Sequence, residues 1–188
     1  MMRIILIFFV FLFLSCKTEK KEISKFQKII IDGSLVDNDT IKLLSKYPEL
    51  KLFNSEKENS KTRTAYVLET ANYYDSGLLR TIHFEDYKCK AEYKQDTLNI
   101  WLNNNNGYFG NGVLVKVFNG QFLIKDIDPK TLKGEIKFIN SKPFYQKLVL
   151  NKDIFQKNDS IYGFIDYKTD VDSLVKKNFR GYFKTSIN

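Results

Sequence analysis

From Tyr87 to Lys94 the chain reads Tyr-Lys-Cys-Lys-Ala-Glu-Tyr-Lys, so that every second residue is apolar and every other one is charged. Alternation of this kind sends successive side chains to opposite faces and predicts a half-buried β-strand. Cys89 falls on the core face with Tyr87, Ala91 and Tyr93, and Lys88, Lys90 and Lys94 take the water face. Gln95-Asp96 predicts a turn, after which Leu98, Ile100 and Leu102 continue inward and leave Trp101 on the other face. Val113 to Phe118, Asn119-Gly120 and Gln121 to Lys125 predict a hairpin, because Asn-Gly accepts the positive φ angles of a type I′ turn. That register sets Val117 against Phe122 and Val115 against Ile124.

Further strands are predicted at Thr64 to Thr70, Leu78 to Phe84, Leu132 to Ile139, Tyr145 to Leu150, Ile161 to Tyr167 and Phe179 to Ile187. Connections this short favour antiparallel pairing. Ile29-Ile30-Ile31 predicts a first strand, closed by Asp32-Gly33. One segment changes period: Asn38 or Asp39 sits where an N-cap belongs, Ile41, Leu44 and Tyr47 recur at helical spacing, and Pro48 ends the run. The expected architecture is an all-β, antiparallel β-sandwich with one short helix near the N-terminus.

The N-terminal pattern is different. Arg3 is followed by Ile4 to Leu14 without a polar residue, then by Ser15-Cys16. Eleven apolar residues fall short of the about 20 that span a bilayer as a helix. Leu12-Phe13-Leu14-Ser15-Cys16 resembles the lipobox of bacterial lipoproteins. The resemblance implies a signal peptide over residues 1–15, cleavage before Cys16, and a diacylglycerol thioether on Cys16. It further implies an exported protein held at the cell envelope, with the membrane as its partner through that lipid. Residues 16–28 then read as the lipidated cysteine and a flexible, charged tether, and residues 29–188 as a single β-rich domain. Lys17, rather than Asp, follows Cys16, as in lipoproteins passed on to the outer membrane of Gram-negative bacteria.

The segment Leu148 to Tyr167, with Phe155, Asn158-Asp159 and the run Ile161, Gly163 and Ile165, is similar to the strand-turn-strand of immunoglobulin-like modules. That likeness implies a sandwich. An up-and-down barrel of the lipocalin kind fits the same tight turns and stays open as the alternative.

Composition narrows the picture in two respects. The chain has 188 residues and a formal charge of +8, yet its lysines alternate with apolar residues rather than forming the basic stripe that nucleic acid requires. Attraction of Lys17, Lys20, Lys21, Lys25 and Lys28 to anionic headgroups is the expected use of the charge. There are two cysteines, and with Cys16 consumed by lipid the chain offers Cys89 no second thiol for a disulfide, which suits a core position.

Candidate chemistry is sparse. His83 is the single histidine, which excludes a multi-histidine zinc site and leaves any serine-histidine mechanism one base without a nucleophile elbow. Asp126-x-Asp128 and Asp170-x-Asp172 have the oxygen-rich spacing of calcium loops but lack the glycine and the later glutamate, and read as turn formers. The run Asn103-Asn104-Asn105-Asn106-Gly107-Tyr108-Phe109-Gly110 is either a long hairpin connection or a ligand-binding tip. In the second case Trp101, Asn103, Asn105, Tyr108 and Phe109 are the candidate binding residues, with amides to hydrogen-bond and rings to stack.

The expected function is therefore a lipid-anchored, non-enzymatic binding or interaction module, needing no cofactor, whose partner is an envelope protein, peptide or glycan. A protective, immunity-like lipoprotein is the first alternative. A hydrolase acting through carboxylates alone is the second, and it requires acidic residues such as Glu69, Glu85, Asp86 or Glu92 to converge in a cleft.

Overall fold

The computed structural model describes residues 26–46, 64–85, 87–104, 112–128, 137–171 and 175–188. Eleven strands and one α-helix are described: β1 (Gln27–Lys28), β2 (Ile30–Ile31), α1 (Asp39–Leu44), β3 (Ala65–Asp75), β4 (Leu78–Phe84), β5 (Lys88–Lys94), β6 (Thr97–Asn103), β7 (Gly112–Phe118), β8 (Gln121–Ile127), β9 (Ser141–Leu150), β10 (Ser160–Val171) and β11 (Val175–Ser186). They form a five-stranded sheet in the order β1-β8-β7-β6-β5 and a six-stranded sheet in the order β2-β9-β10-β11-β3-β4. The two sheets make an all-β sandwich with no closed barrel, so the lipocalin alternative does not hold.

Neighbouring strands pair antiparallel throughout except β2, whose Ile30 and Ile31 lie parallel to Val149 and Leu150 of β9. Asn119-Gly120 turns with φ of 48° and 70°, and Val117 faces Phe122 and Val115 faces Ile124 as the sequence predicts. Asn38 caps α1 by accepting hydrogen bonds from the backbone of Thr40 and Ile41. Before it, Gly33–Asp37 winds into a 3₁₀ turn capped by Asp32, which the sequence reading leaves out. The helix lies against β11 and β3 and buries Ile41 and Leu44.

The space between the sheets is filled from both sides by alternating residues, among them Cys89, Ile100, Leu102, Val115, Phe122, Leu148, Ile165, Phe179 and Phe183. Burying such side chains contributes about 1.5–3 kcal/mol each, the dominant favourable contribution to folding. Cys89 is fully buried, in keeping with its parity. Gly163 lies directly under Phe183: a Cβ there would meet the ring at 2.1 Å, so the missing side chain makes the socket for that ring.

Three expectations from the sequence need correction. Lys88 and Lys90 are buried rather than water-facing. The outer face of β5, β6 and β7 is itself partly buried, since Leu114, Asn99 and Asn103 on it are buried as well. Tyr93, assigned to the core, is 42 % exposed: it sits at the rim of β5, one residue from the strand's end, with its hydroxyl donating to the Phe155 carbonyl at 3.3 Å. Gln27 and Lys28, read as the end of a tether, pair with Phe122 and Gln121. The strand expected at Leu132 to Ile139 lies mostly outside the described residues; within them Phe138 bridges Ile127.

Candidate functional site

Inward alternation carries charged groups as well as apolar ones. On β3 the inward set is Ala65, Val67, Glu69 and Ala71; on β11 it begins Val175, Lys177, Phe179; on β8 it runs Phe122, Ile124, Asp126. Register then assembles them. Phe179 stands opposite Glu69 on one side and Tyr167 on the other, and Lys177 lies between Ala71 and Thr169. The small Ala71 and Thr169 leave the lysine stem room to cross toward Asp126 on the facing sheet.

The result is a closed polar cluster. Lys177 Nζ donates to Asp126 Oδ1 at 2.7 Å and lies 3.6 Å from Glu69 Oε2, with all three side chains at 0 % exposure. The Tyr167 hydroxyl donates to Asp126 Oδ2 at 2.6 Å, and the Tyr87 hydroxyl donates to Glu69 Oε2. Phe179 meets Tyr87 edge-on, with ring centroids 4.9 Å apart, and the Lys177 ammonium sits 5.5 Å from the Phe179 ring centre. Glu69 Oε1 is buried with no hydrogen-bond partner among the described residues.

Electrostatics distributes the charge. Burial pushes the Glu69 carboxyl up to about 7, against the opposing pull of Lys177 and of the Tyr87 hydrogen bond. Burial pulls the Lys177 amine down, but Asp126 and Glu69 more than offset it and hold it above its ordinary range. Burial and the adjacent carboxylates raise both Tyr87 and Tyr167, so both hydroxyls remain donors. The arrangement sets one amine, held charged, against two carboxyl groups, of which Glu69 is held near its protonated form. This is the charge balance a dry interior tolerates, because an uncompensated buried charge is far more costly.

Two of the five sequence-predicted binding residues, Trp101 and Asn103, fall within the described residues, away from this cluster. Trp101 lies on the outer face of β6, half-buried, in register between the buried Lys90 and Leu114. Asn103 ends the same strand and is buried. Asn105, Tyr108, Phe109 and Cys16, the residue expected to carry the lipid, lie outside the described residues. His83 is exposed on β4, its Nδ1 3.2 Å from Thr70 Oγ1 across the β3–β4 pair. Of the two aspartate pairs, Asp126 is committed to Lys177 and Tyr167, and Asp172 lies outside the described residues. Among the described residues no group of three or more His, Cys, Asp or Glu side chains is placed to hold a metal. Of the carboxylates weighed for hydrolysis, Glu69 does converge with Asp126, but across a lysine in a closed interior; Glu85 and Glu92 are exposed elsewhere and Asp86 lies outside the described residues.

Sequence reasoning named Glu69 and Asp126 separately and did not single out Lys177 or place Tyr167 beside a charge. The signal that finds the cluster is parity. In three strands a charged residue continues an inward apolar series, after Val67 in β3, after Val175 in β11 and after Ile124 in β8, and such positions of opposite sign predict a buried group that must be mutually neutralised. No protein-family model, curated protein or solved structure matches this chain.

Proposed function

We propose that the chain is a lipid-anchored protein of the bacterial cell envelope whose β-sandwich acts as a non-enzymatic interaction module for a protein or peptide partner. The anchor rests on Leu12 to Cys16. The interaction role rests on one observation: the β3–β4 hairpin presents Tyr74, Leu78 and Leu79 at 61 %, 59 % and 60 % exposure. Tyr66 and Leu68 are also exposed along β3, and β4 is the outermost strand of its sheet. An edge strand offers unused backbone donors and acceptors to an extended segment, and exposed apolar side chains beside it supply pockets and contact area. Grouped exposure of large apolar residues is uncommon on a monomer without a binding role. Glu69 and Asp126, by contrast, are wholly buried among the described residues, which favours binding over hydrolysis there.

Two measurements test the reading. The mature protein is expected in the membrane fraction with acyl mass on Cys16, and Cys16→Ser is expected to release it; a wild-type chain that is unprocessed and unacylated overturns the anchor. A photo-crosslinking side chain at position 79 of the anchored chain is expected to yield a discrete protein adduct. The same group at Lys176, an exposed position on β11, is expected to yield none. Equal adducts from both positions, or none from either, overturn the hairpin as the docking surface.

A further inference from the structure

We infer that Lys177 and Asp126 are joined after folding by an amide bond between Lys177 Nζ and Asp126 Cγ, which ties the two sheets together covalently. Four observations converge on this. The amine and the carboxyl group are in direct hydrogen bond at 2.7 Å, and both are wholly buried. A second carboxyl, Glu69, lies 3.6 Å from the same nitrogen, and its far oxygen Oε1 is uncommitted among the described residues. A hydroxyl donor, Tyr167, is already placed on Asp126 Oδ2. Aromatic rings, Tyr87 and Phe179, pack against this group. A simple buried ion pair requires the first observation alone; the other three are the parts of a condensation site.

Each part has a chemical role. Fixing the amine against the carboxyl group gives the effective concentration that makes intramolecular reactions fast. Excluding water lowers the cost of forming the neutral amine and acid from the charged pair, relative to the same step in solvent, and removes the water that drives hydrolysis. Lys177 passes one proton along its hydrogen bond to Asp126, leaving a neutral amine and a carboxylic acid. The nitrogen lone pair then forms a bond to Cγ while the carbonyl pair moves onto Oδ2, where the Tyr167 hydroxyl donates to the developing oxyanion. Glu69, kept near its protonated form by burial, gives its proton to Oδ1 and takes one from the nitrogen. The Cγ–Oδ1 bond breaks and water leaves. An ammonium and a carboxylate become one amide and one water, Glu69 ends as it began, and no oxidant or further reactant is used.

The test is a peptide map of the full-length protein, purified from membranes in detergent and digested with trypsin. Without the bond, cleavage gives a linear peptide of residues 126–130 and cuts after Lys177. With it, residues 126–130 and 177–180 travel as one branched peptide, lighter than the two together by one water, and fragmentation places the branch at Asp126 and Lys177. Lys177→Arg keeps the charge but removes the nucleophilic amine, and is expected to give no branched peptide. Glu69→Gln is expected to slow formation after refolding by about 10²-fold or more, the usual contribution of a positioned proton relay. Linear peptides alone from folded wild-type protein after prolonged incubation overturn the inference. A branch to residues 64–80, which contain Glu69, overturns Asp126 as the acceptor. Formation in Glu69→Gln at the wild-type rate overturns the relay.

Discussion

The two halves of the sandwich interior are built from the same alternating strands but obey different rules. In the half that holds Ile100, Val117, Phe122, Leu148, Ile161, Ile165 and Phe183, the core side chains are apolar and the arrangement is governed by volume. In the half that holds Glu69, Tyr87, Asp126, Tyr167 and Lys177, it is governed by charge balance and hydrogen-bond satisfaction. An apolar core loses stability in proportion to what is removed; a charged core loses it according to what is left behind.

The largest expected break in this comparison is Lys177→Met. It leaves the Asp126 carboxylate buried without its cation and is expected to cost about 3–5 kcal/mol in denaturant unfolding. Lys177→Met combined with Asp126→Leu removes both charges and is expected to recover much of that loss, which no pair of truncations in the apolar half should do. A double variant that unfolds as readily as the sum of its parts breaks the contrast.

Next in size is a pH effect confined to the charged half. Because the Glu69 carboxyl is raised in the folded protein, the folded state holds this proton more tightly than the unfolded state does. Its contribution to stability is complete below the ordinary value of 4.5 and is lost as pH rises through about 7. At about 1.4 kcal/mol per pH unit, wild-type stability relative to Glu69→Gln is expected to fall by about 3 kcal/mol across that window. Parallel stability–pH curves for the two proteins contradict the assignment.

Smaller effects sharpen the apolar side. Gly163→Ala forces a methyl group into the Phe183 ring and is expected to cost about 1–3 kcal/mol as overpacking, with no pH dependence. Ile165→Val, a single methylene lost from a fully buried site, is expected to cost about 0.5–1.5 kcal/mol. Thermal unfolding of both variants at two pH values checks the size and the absence of a pH term together.

What was legible in the sequence follows the same division. Apolar alternation located β4, β5 and the β7–β8 hairpin, and the capping residues located α1, because each is a local pattern with a local cause. The strand ends were misjudged near the charged cluster. β8 runs to Ile127 rather than Lys125, past the inward Asp126, and β11 begins at Val175 rather than Phe179, before the inward Lys177. β3 continues to Asp75 and β10 to Val171, beyond Thr70 and Tyr167. In β8 and β11 a charged residue at an inward position interrupts the apolar pattern and imitates a strand boundary, so the missed strand ends and the missed site have one cause. The burial of Lys88 and Lys90 was illegible for another reason: alternation tells which residues share a face, but not whether a second layer covers it.

The cluster also bears on the order of folding. Asp126 and Lys177 are 51 residues apart, and Asp126 and Tyr167 are 41 apart, with the partners on strands of opposite sheets. Hairpins such as β7–β8 and β10–β11 close over short spans and can form early. The charges can shed their water only when two finished sheets meet, since before that each is better solvated alone. Sheet docking is thus the step at which desolvation is incurred and pairing is gained almost together. Changes at Lys177 should therefore act mainly on the unfolding rate, and the cluster works as a late lock on a structure whose halves are already built.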